Sequence, residues 1–95
     1  MKNLIFSWDD KKNSNNQKKH HVSFEEAQTV FFDERAIEFD DPDHSEDENR
    51  FLLIGLSHKM RVLVICHCFR VSESEIRIIS ARKATKKEQI VYFKV

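Results

Sequence analysis

Glycine and proline are nearly missing from this 95-residue chain, which has one of each. That scarcity, with eight phenylalanines, excludes a loop-rich scaffold and a disordered segment, since disordered chains lack the apolar surface needed to order themselves. With Gly55 alone there is no glycine-rich phosphate cradle, which argues against nucleotide-dependent chemistry. Long apolar runs are lacking too. None approaches the ~18 residues of a membrane span. The N-terminal Met-Lys-Asn-Leu-Ile-Phe-Ser-Trp has neither the apolar core nor the small-residue cleavage site of a signal peptide. The chain is therefore expected in the cytoplasm. Its cysteines are Cys66 and Cys68, two positions apart in an apolar run. They are too close in sequence to staple a fold, and read as buried thiols in a reducing compartment. There is no Cys-x-x-Cys, and His20, His21, His44, His58 and His67 show no ligand spacing. No metal site is expected.

Net charge is also absent, but the zero hides a segregation. Residues 1–24 hold five lysines and two aspartates, residues 25–49 eleven acids and one arginine, and residues 50–95 ten Lys or Arg and three glutamates. Blocks of this kind steer partners more than the net value does. The acidic block is a poor match for direct DNA binding, because it repels the phosphate backbone. Six of its carboxylates fall within residues 40–48 around Pro42. They lack the ligand alternation and turn glycine of a calcium loop, so the segment reads as a solvated loop.

A length of 95 residues predicts one domain with a modest core. A short strand is expected over residues 2–8, then a helix from an Asp9 or Asp10 cap to Lys19. That helix has almost no apolar stripe, so only tertiary contacts can hold it. Ser23-Phe24-Glu25-Glu26 is a capping box, with the Glu26 side chain reaching back to the Ser23 N–H. The helix it opens buries Phe24, Ala27, Val30 and Phe31 on one stripe. Strands follow at 36–39, 51–56, 62–69 and 75–81, with a four-residue turn at 57–60 and another at 71–74. A last helix capped by Thr85 runs from Lys86 to Phe93. Successive strands flanked by helices predict an α+β domain with a small antiparallel sheet, helices mainly on one face and the other face free for a substrate.

The residues that carry chemistry cluster late. Arg77 lies inside an apolar strand and Arg82 at its exit, followed by Lys86 and Lys87. Guanidinium groups suit phosphate, since the planar fork binds two oxygens and keeps its charge. Alternation sends Ile76 and Ile78 to the core and Arg77 to the other face, leaving Ile79 as a misfit. From spacing alone either arginine could instead pair with Glu73, Glu75 or Glu88. Lys18-Lys19-His20-His21 supplies imidazole for acid or base work near neutrality, or is only an exposed basic helix end. Trp8 suits either base stacking or the core. His67 shares a face with Arg61, Leu63, Ile65 and Phe69, and suits either an open face or packing.

One pattern joins these residues: Phe6-x-Trp8-Asp9-x-x-Lys12-Asn13-x-x-Asn16-x-x-Lys19-His20-x-Val22-Ser23-Phe24-Glu25-Glu26-Ala27, then Asp41-Pro42-Asp43-His44-Ser45, Glu48-x-Arg50, Gly55, Arg61, Arg77-Ile78-Ile79-Ser80-Ala81-Arg82-Lys83-Ala84-Thr85-x-x-Glu88 and Tyr92. It resembles the BrnT ribonuclease toxins of type II toxin–antitoxin systems over nearly the whole chain. The resemblance implies a RelE-like fold, metal-independent RNA cleavage that halts translation, and no cofactor. It implies a BrnA-like ribbon-helix-helix antitoxin in a 2:2 complex, and operator DNA bound only through that antitoxin. As carried over, the catalytic set is His20, Arg77, Arg82 and Lys19, and the RNA-binding set Trp8, Lys12 and Arg61. The alternative is an impaired homologue that serves only as an antitoxin-binding module and co-repressor. His21 stands where the family usually has Gly, which points to a turn of positive φ. Gln17 stands where it usually has Leu.

Overall fold

The structure, a computed structural model, describes residues 4–41, 49–70 and 74–94. Its elements run β1 (Ile5–Ser7), α1 (Asp10–His20), α2 (Phe24–Thr29), a 3₁₀ turn (Val30–Phe32), β2 (Ile37–Asp40), β3 (Arg50–Leu56), β4 (Val62–Arg70), β5 (Glu75–Lys83) and α3 (Lys86–Lys94). This is the expected order. Most of the acidic loop and of the turn at 71–74 lies outside the described residues.

Five strands form one sheet in the order β1-β5-β4-β3-β2. The meander β2 to β5 is antiparallel, but β1 pairs with β5 in parallel, so the sheet is mixed. The sequence could not fix that direction, because β1 finds its only partner some seventy residues later in the chain. β5 also runs on to Lys83 rather than stopping at Ala81, since Arg82 and Lys83 still pair with Val64 and Leu63 of β4. Arg82 therefore sits inside a strand.

Alternation along the strands makes two cores. Leu53, Leu63, Ile65, Ile78 and Ala81 pack against Val22, Phe24, Ala27 and Val30 beneath α1 and α2. On the opposite face, Ile54 and Val64 pack against Ala84 and Tyr92 of the α3 region. Two helices thus cover one face and the third covers part of the other. Tyr92 is tied down further by its hydroxyl, which donates to Asp33 Oδ2 at 2.7 Å. The single glycine is a matter of space: a Cβ on Gly55 would stand 2.8 Å from a Val30 methyl and 2.9 Å from Ala36 Cβ.

Ile79 is a bulge residue. Cys66 pairs with Ser80 and His67 with Ile78, so Ile79 is the extra residue of β5 between them. A bulge shifts the alternation by one, which explains why Ile78 and Ala81 share one core. Arg77, Ser80 and Arg82 pair with Cys68, Cys66 and Val64 and lie on the second face. His67 takes the packed option. It is fully buried, among the rings of Phe31, Phe51 and Phe69. Its nitrogens lie 3.2 Å from Ile65 O and from Glu38 Oε1. Burial holds its pKa below the ordinary value against those two contacts. Cys66 and Cys68 are both buried, and burial pushes the Cys66 thiol up to about 11.

His21 closes α1 in the left-handed region at φ 60° and ψ 31°, its N–H donating to Gln17 O. A residue with a Cβ is strained there by about 1 kcal/mol. His21→Gly is expected to raise stability by about that amount, read as a higher denaturant midpoint at constant slope. An unchanged or lower midpoint would show that the imidazole makes up the difference.

Candidate functional site

The site starts from an unusual helix. α1 (Asp-Lys-Lys-Asn-Ser-Asn-Asn-Gln-Lys-Lys-His) has no apolar residue, and its buried members are Asn13 and Asn16. Asp9 caps it, accepting the Lys12 N–H at 3.0 Å. Asn13 Oδ1 accepts the Phe24 N–H at 2.9 Å, and its amide donates to Glu25 Oε1. Asn16 does more. Its amide donates to Val22 O and Ala81 O, both at 2.8 Å, and its oxygen accepts the Ala81 N–H at 3.1 Å. Polar clamps thus replace the missing apolar stripe, and those of Asn16 count most because they satisfy buried backbone groups of Val22 and Ala81.

The clamp decides where α1 lies. β1 pairs only with Glu75, Ile76 and Arg77. Beyond that point the outer edge of β5 is bare, and Asn16 fills it as a strand residue would. Between helix and bulge runs a cleft of about 210 Å³ lined by Lys12, Asn15, Asn16, Lys19 and His20 of α1 and Ile79 and Ser80 of β5. This cleft lies at the sheet edge, between α1 and β5.

The predicted residues divide. Lys12, Lys19 and His20 line the cleft together. Arg77 lies toward its start: the Asp9 carboxyl is held below its ordinary range chiefly by the Lys12 N–H, with the charge of Arg77 a lesser cause. Neither arginine lines the cleft; Arg82 follows Ala81, whose backbone Asn16 holds. Its guanidinium grips Glu88 through two nitrogens, at 2.7 and 2.9 Å. Glu88 Oε1 also accepts the Thr85 N–H at 2.8 Å while Thr85 caps the Glu88 N–H. The pairing left open for the arginines is thus realised at Arg82, through Glu88. Trp8 does not line the cleft. It is half-buried against the first core, edge-on to Phe24 with centroids 6.0 Å apart.

Arg61 is likewise committed elsewhere. It bonds both carboxylate oxygens of Glu26, which is 1% exposed, and donates to His21 O at 3.1 Å. The Ser57 hydroxyl donates to the same carboxylate at 2.7 Å. Burial pushes the Glu26 carboxyl up, but the bonds from Arg61 and Ser57 outweigh it and leave it below the ordinary range. The half of the capping box that the sequence placed on Glu26 is corrected here: its N–H bonds Ser23 Oγ as expected, while its carboxylate turns to a guanidinium, a stronger partner than a backbone N–H.

Sequence reasoning did not bring Asn16 and Ser80 to the cleft, and left Glu88 as one of three possible partners for the arginines. The signal for Asn16 was a polar helix in need of an anchor. Among the described residues, no group of three or more His, Cys, Asp or Glu comes together as a metal site. A wider depression of about 360 Å³, lined by residues that include Thr29, Asp33 and His58, does not suit a phosphate. Its Asp33 is anionic and already accepts from Leu56 N–H and Tyr92 OH.

Two predictions arise from these contacts. Asn16→Leu leaves Ala81 N–H and two carbonyls without partners, and should cost about 2–3 kcal/mol while speeding hydrogen exchange at the Ala81 amide. Protection at Ala81 equal to that of the unsubstituted chain would contradict the clamp. The Arg82 bond holds the Glu88 carboxyl at about 2, well below the usual 4.5. A depressed folded value stabilises above the unfolded one and is lost as pH falls. Stability should therefore drop between pH 4.5 and about 2. Glu88→Gln should flatten that part of the pH profile, and an unchanged slope would deny the pair its role.

The model of the family described as "Ribonuclease toxin, BrnT, of type II toxin-antitoxin system" matches residues 8–88. Among solved structures, the crystal structure of the Brucella abortus ribonuclease toxin BrnT is similar in fold, with a TM-score of 0.64 at 20% identity, covering 90% of this chain and 100% of that one. No curated protein sequence matches the chain.

Proposed function

Because the chain belongs to the BrnT family of ribonuclease toxins of type II toxin–antitoxin systems, we propose that it is an endoribonuclease whose reaction takes place in the cleft between α1 and β5. The observation that carries this reading is the meeting of Lys12, Lys19 and His20 with the bulge of β5 in one cleft, fixed by Asn16. An RNA strand laid along the cleft meets cations from Arg77 at one end to Arg82 at the other.

The chemistry follows from the groups present. The 2′-oxygen of the nucleotide attacks the adjacent phosphorus, and the bond from phosphorus to the 5′-oxygen breaks. A base takes the 2′-hydroxyl proton and an acid returns one to the departing 5′-oxygen. The imidazole of His20 serves one of these transfers, because it exchanges protons near neutral pH. Lys19 and Arg82 stabilise the negative charge that grows on the phosphorane oxygens, typically the largest single contribution to such a rate. Glu88 keeps the Arg82 fork in one orientation, so little reorganisation is needed when the phosphate arrives. Arg77 and Lys12 hold neighbouring phosphates. Arg61 and Trp8 act through the fold.

A type II system pairs its toxin with a protein antitoxin. For this chain we propose a BrnA-like ribbon-helix-helix partner in a 2:2 complex, with operator DNA bound through the antitoxin, action in the cytoplasm and arrest of translation as the outcome. Expression from a tightly controlled promoter tests the reading. The chain should halt growth and deplete RNA, and Arg82→Ala should relieve both. Unimpeded growth with the unsubstituted protein accumulating would favour the impaired, antitoxin-binding homologue.

A further inference from the structure

α3 is apolar on the side that faces away from the sheet. Tyr92 is its buried anchor, yet Ile90, Val91 and Phe93 are 53%, 43% and 68% exposed. Met60, at the tip of the β3–β4 turn, is 75% exposed. Phe93 and Met60 stand on opposite rims of a depression of about 310 Å³ floored by Leu56, Val62 and Ala84. Ile90 and Val91 lie outside the depression, but two large exposed apolar side chains on a concave apolar floor, with more apolar surface on the same helix, mark an interaction site.

Among the described residues, Lys83 lines this depression, and Lys86, Lys87 and Lys94 are exposed along α3. The one acid in α3, Glu88, is bound to Arg82, and the one arginine on the depression, Arg61, is bound to Glu26. An apolar floor inside a ring of free lysines fits an acidic amphipathic helix, whose apolar face enters the depression while its carboxylates meet the rim.

We propose that the depression between α3 and the β3–β4 turn is the docking site for an acidic amphipathic helix of the antitoxin. This rests on the partner reading under Proposed function and adds its location. A partner held here grips the same helix whose Glu88 orients Arg82. RNA is the weaker match for this surface, because its phosphates would meet only the lysine rim and leave the apolar floor uncovered.

The test uses the purified full chain and the protein encoded by the reading frame beside its own, with affinity read by calorimetry. Phe93→Glu and Met60→Glu are each expected to weaken the complex by at least ~30-fold, the loss typical of a central interface residue. Both side chains are mostly exposed, so folding is retained, and RNA cleavage by the free variants should be unchanged. Lys87→Glu with Lys94→Glu should slow association and reduce its salt dependence. Parental affinity in both glutamate variants overturns the inference and leaves the partner reading standing. So does loss of RNA cleavage in them, which would assign the surface to substrate. Failure of the unsubstituted chain to form any complex overturns the partner reading and this inference together.

Discussion

Replacing His20 with alanine should lower RNA cleavage roughly 10²–10⁴-fold, the usual contribution of one positioned acid or base. The fold should be indifferent to the change. His20 is the last residue of α1, partly exposed, and α1 is held by Asp9, Asn13 and Asn16 rather than by its end. The loss should therefore appear at an unchanged melting temperature. Lys19→Ala should behave in the same sense, since an exposed lysine contributes charge and no packing. The informative comparison is with Asn16→Leu, which changes a side chain that is 7% exposed and bonded to Val22 and Ala81. That variant should lose activity together with stability, because it releases the helix that carries Lys12, Lys19 and His20. Cleavage that survives His20→Ala within a factor of about three would remove the imidazole from the reaction.

Arg61→Ala should be the most damaging substitution for stability. It leaves Glu26, 1% exposed, as a buried carboxylate with only the Ser57 hydroxyl as its side-chain donor. Breaking such a pair costs about 3 kcal/mol or more. For a domain of this size that is a fall of roughly 12–24 °C in melting temperature. Two observations separate this role from a substrate contact. Arg61→Leu combined with Glu26→Leu should recover much of the loss, because the charges go together and apolar surface takes their place. RNA binding, measured below the melting transition, should change little in the single variant. A melting temperature within 3 °C of the unsubstituted chain would instead return Arg61 to the substrate set.

Much of the fold was legible for local reasons. Ser23 and Thr85 cap α2 and α3 as their spacing required, and the apolar runs from 51 to 69 form β3 and β4. What could not be read came from distant pairings. Ile79 looked inconsistent because alternation assumes an unbroken strand, and the bulge that resolves it depends on β4. α1 looked unsupported because an asparagine in a helix reads as a weak former, while its partner, the free edge of β5, lies 65 positions away. The site residues divide along the same line. Lys12, Lys19 and His20 share a helix face and reach one cleft together. Arg61 and Arg82 look alike in sequence, both basic residues beside strand ends, and only the positions of Glu26 and Glu88 tell what each is bound to. Trp8 offered a ring suited to stacking or to the core, and its edge-on contact with Phe24 came from a pairing the spacing could not show. His21 was the exception, a positive φ legible from the glycine usual at its place.

The direct measurement is cleavage of a defined RNA by the purified chain, free of antitoxin and in the presence of a chelator, with the new ends identified. In-line attack by the 2′-oxygen predicts a 2′,3′-cyclic phosphate on one fragment and a 5′-hydroxyl on the other, with the yield abolished by Arg82→Ala. Intact RNA, or fragments carrying 5′-phosphates, would contradict the account.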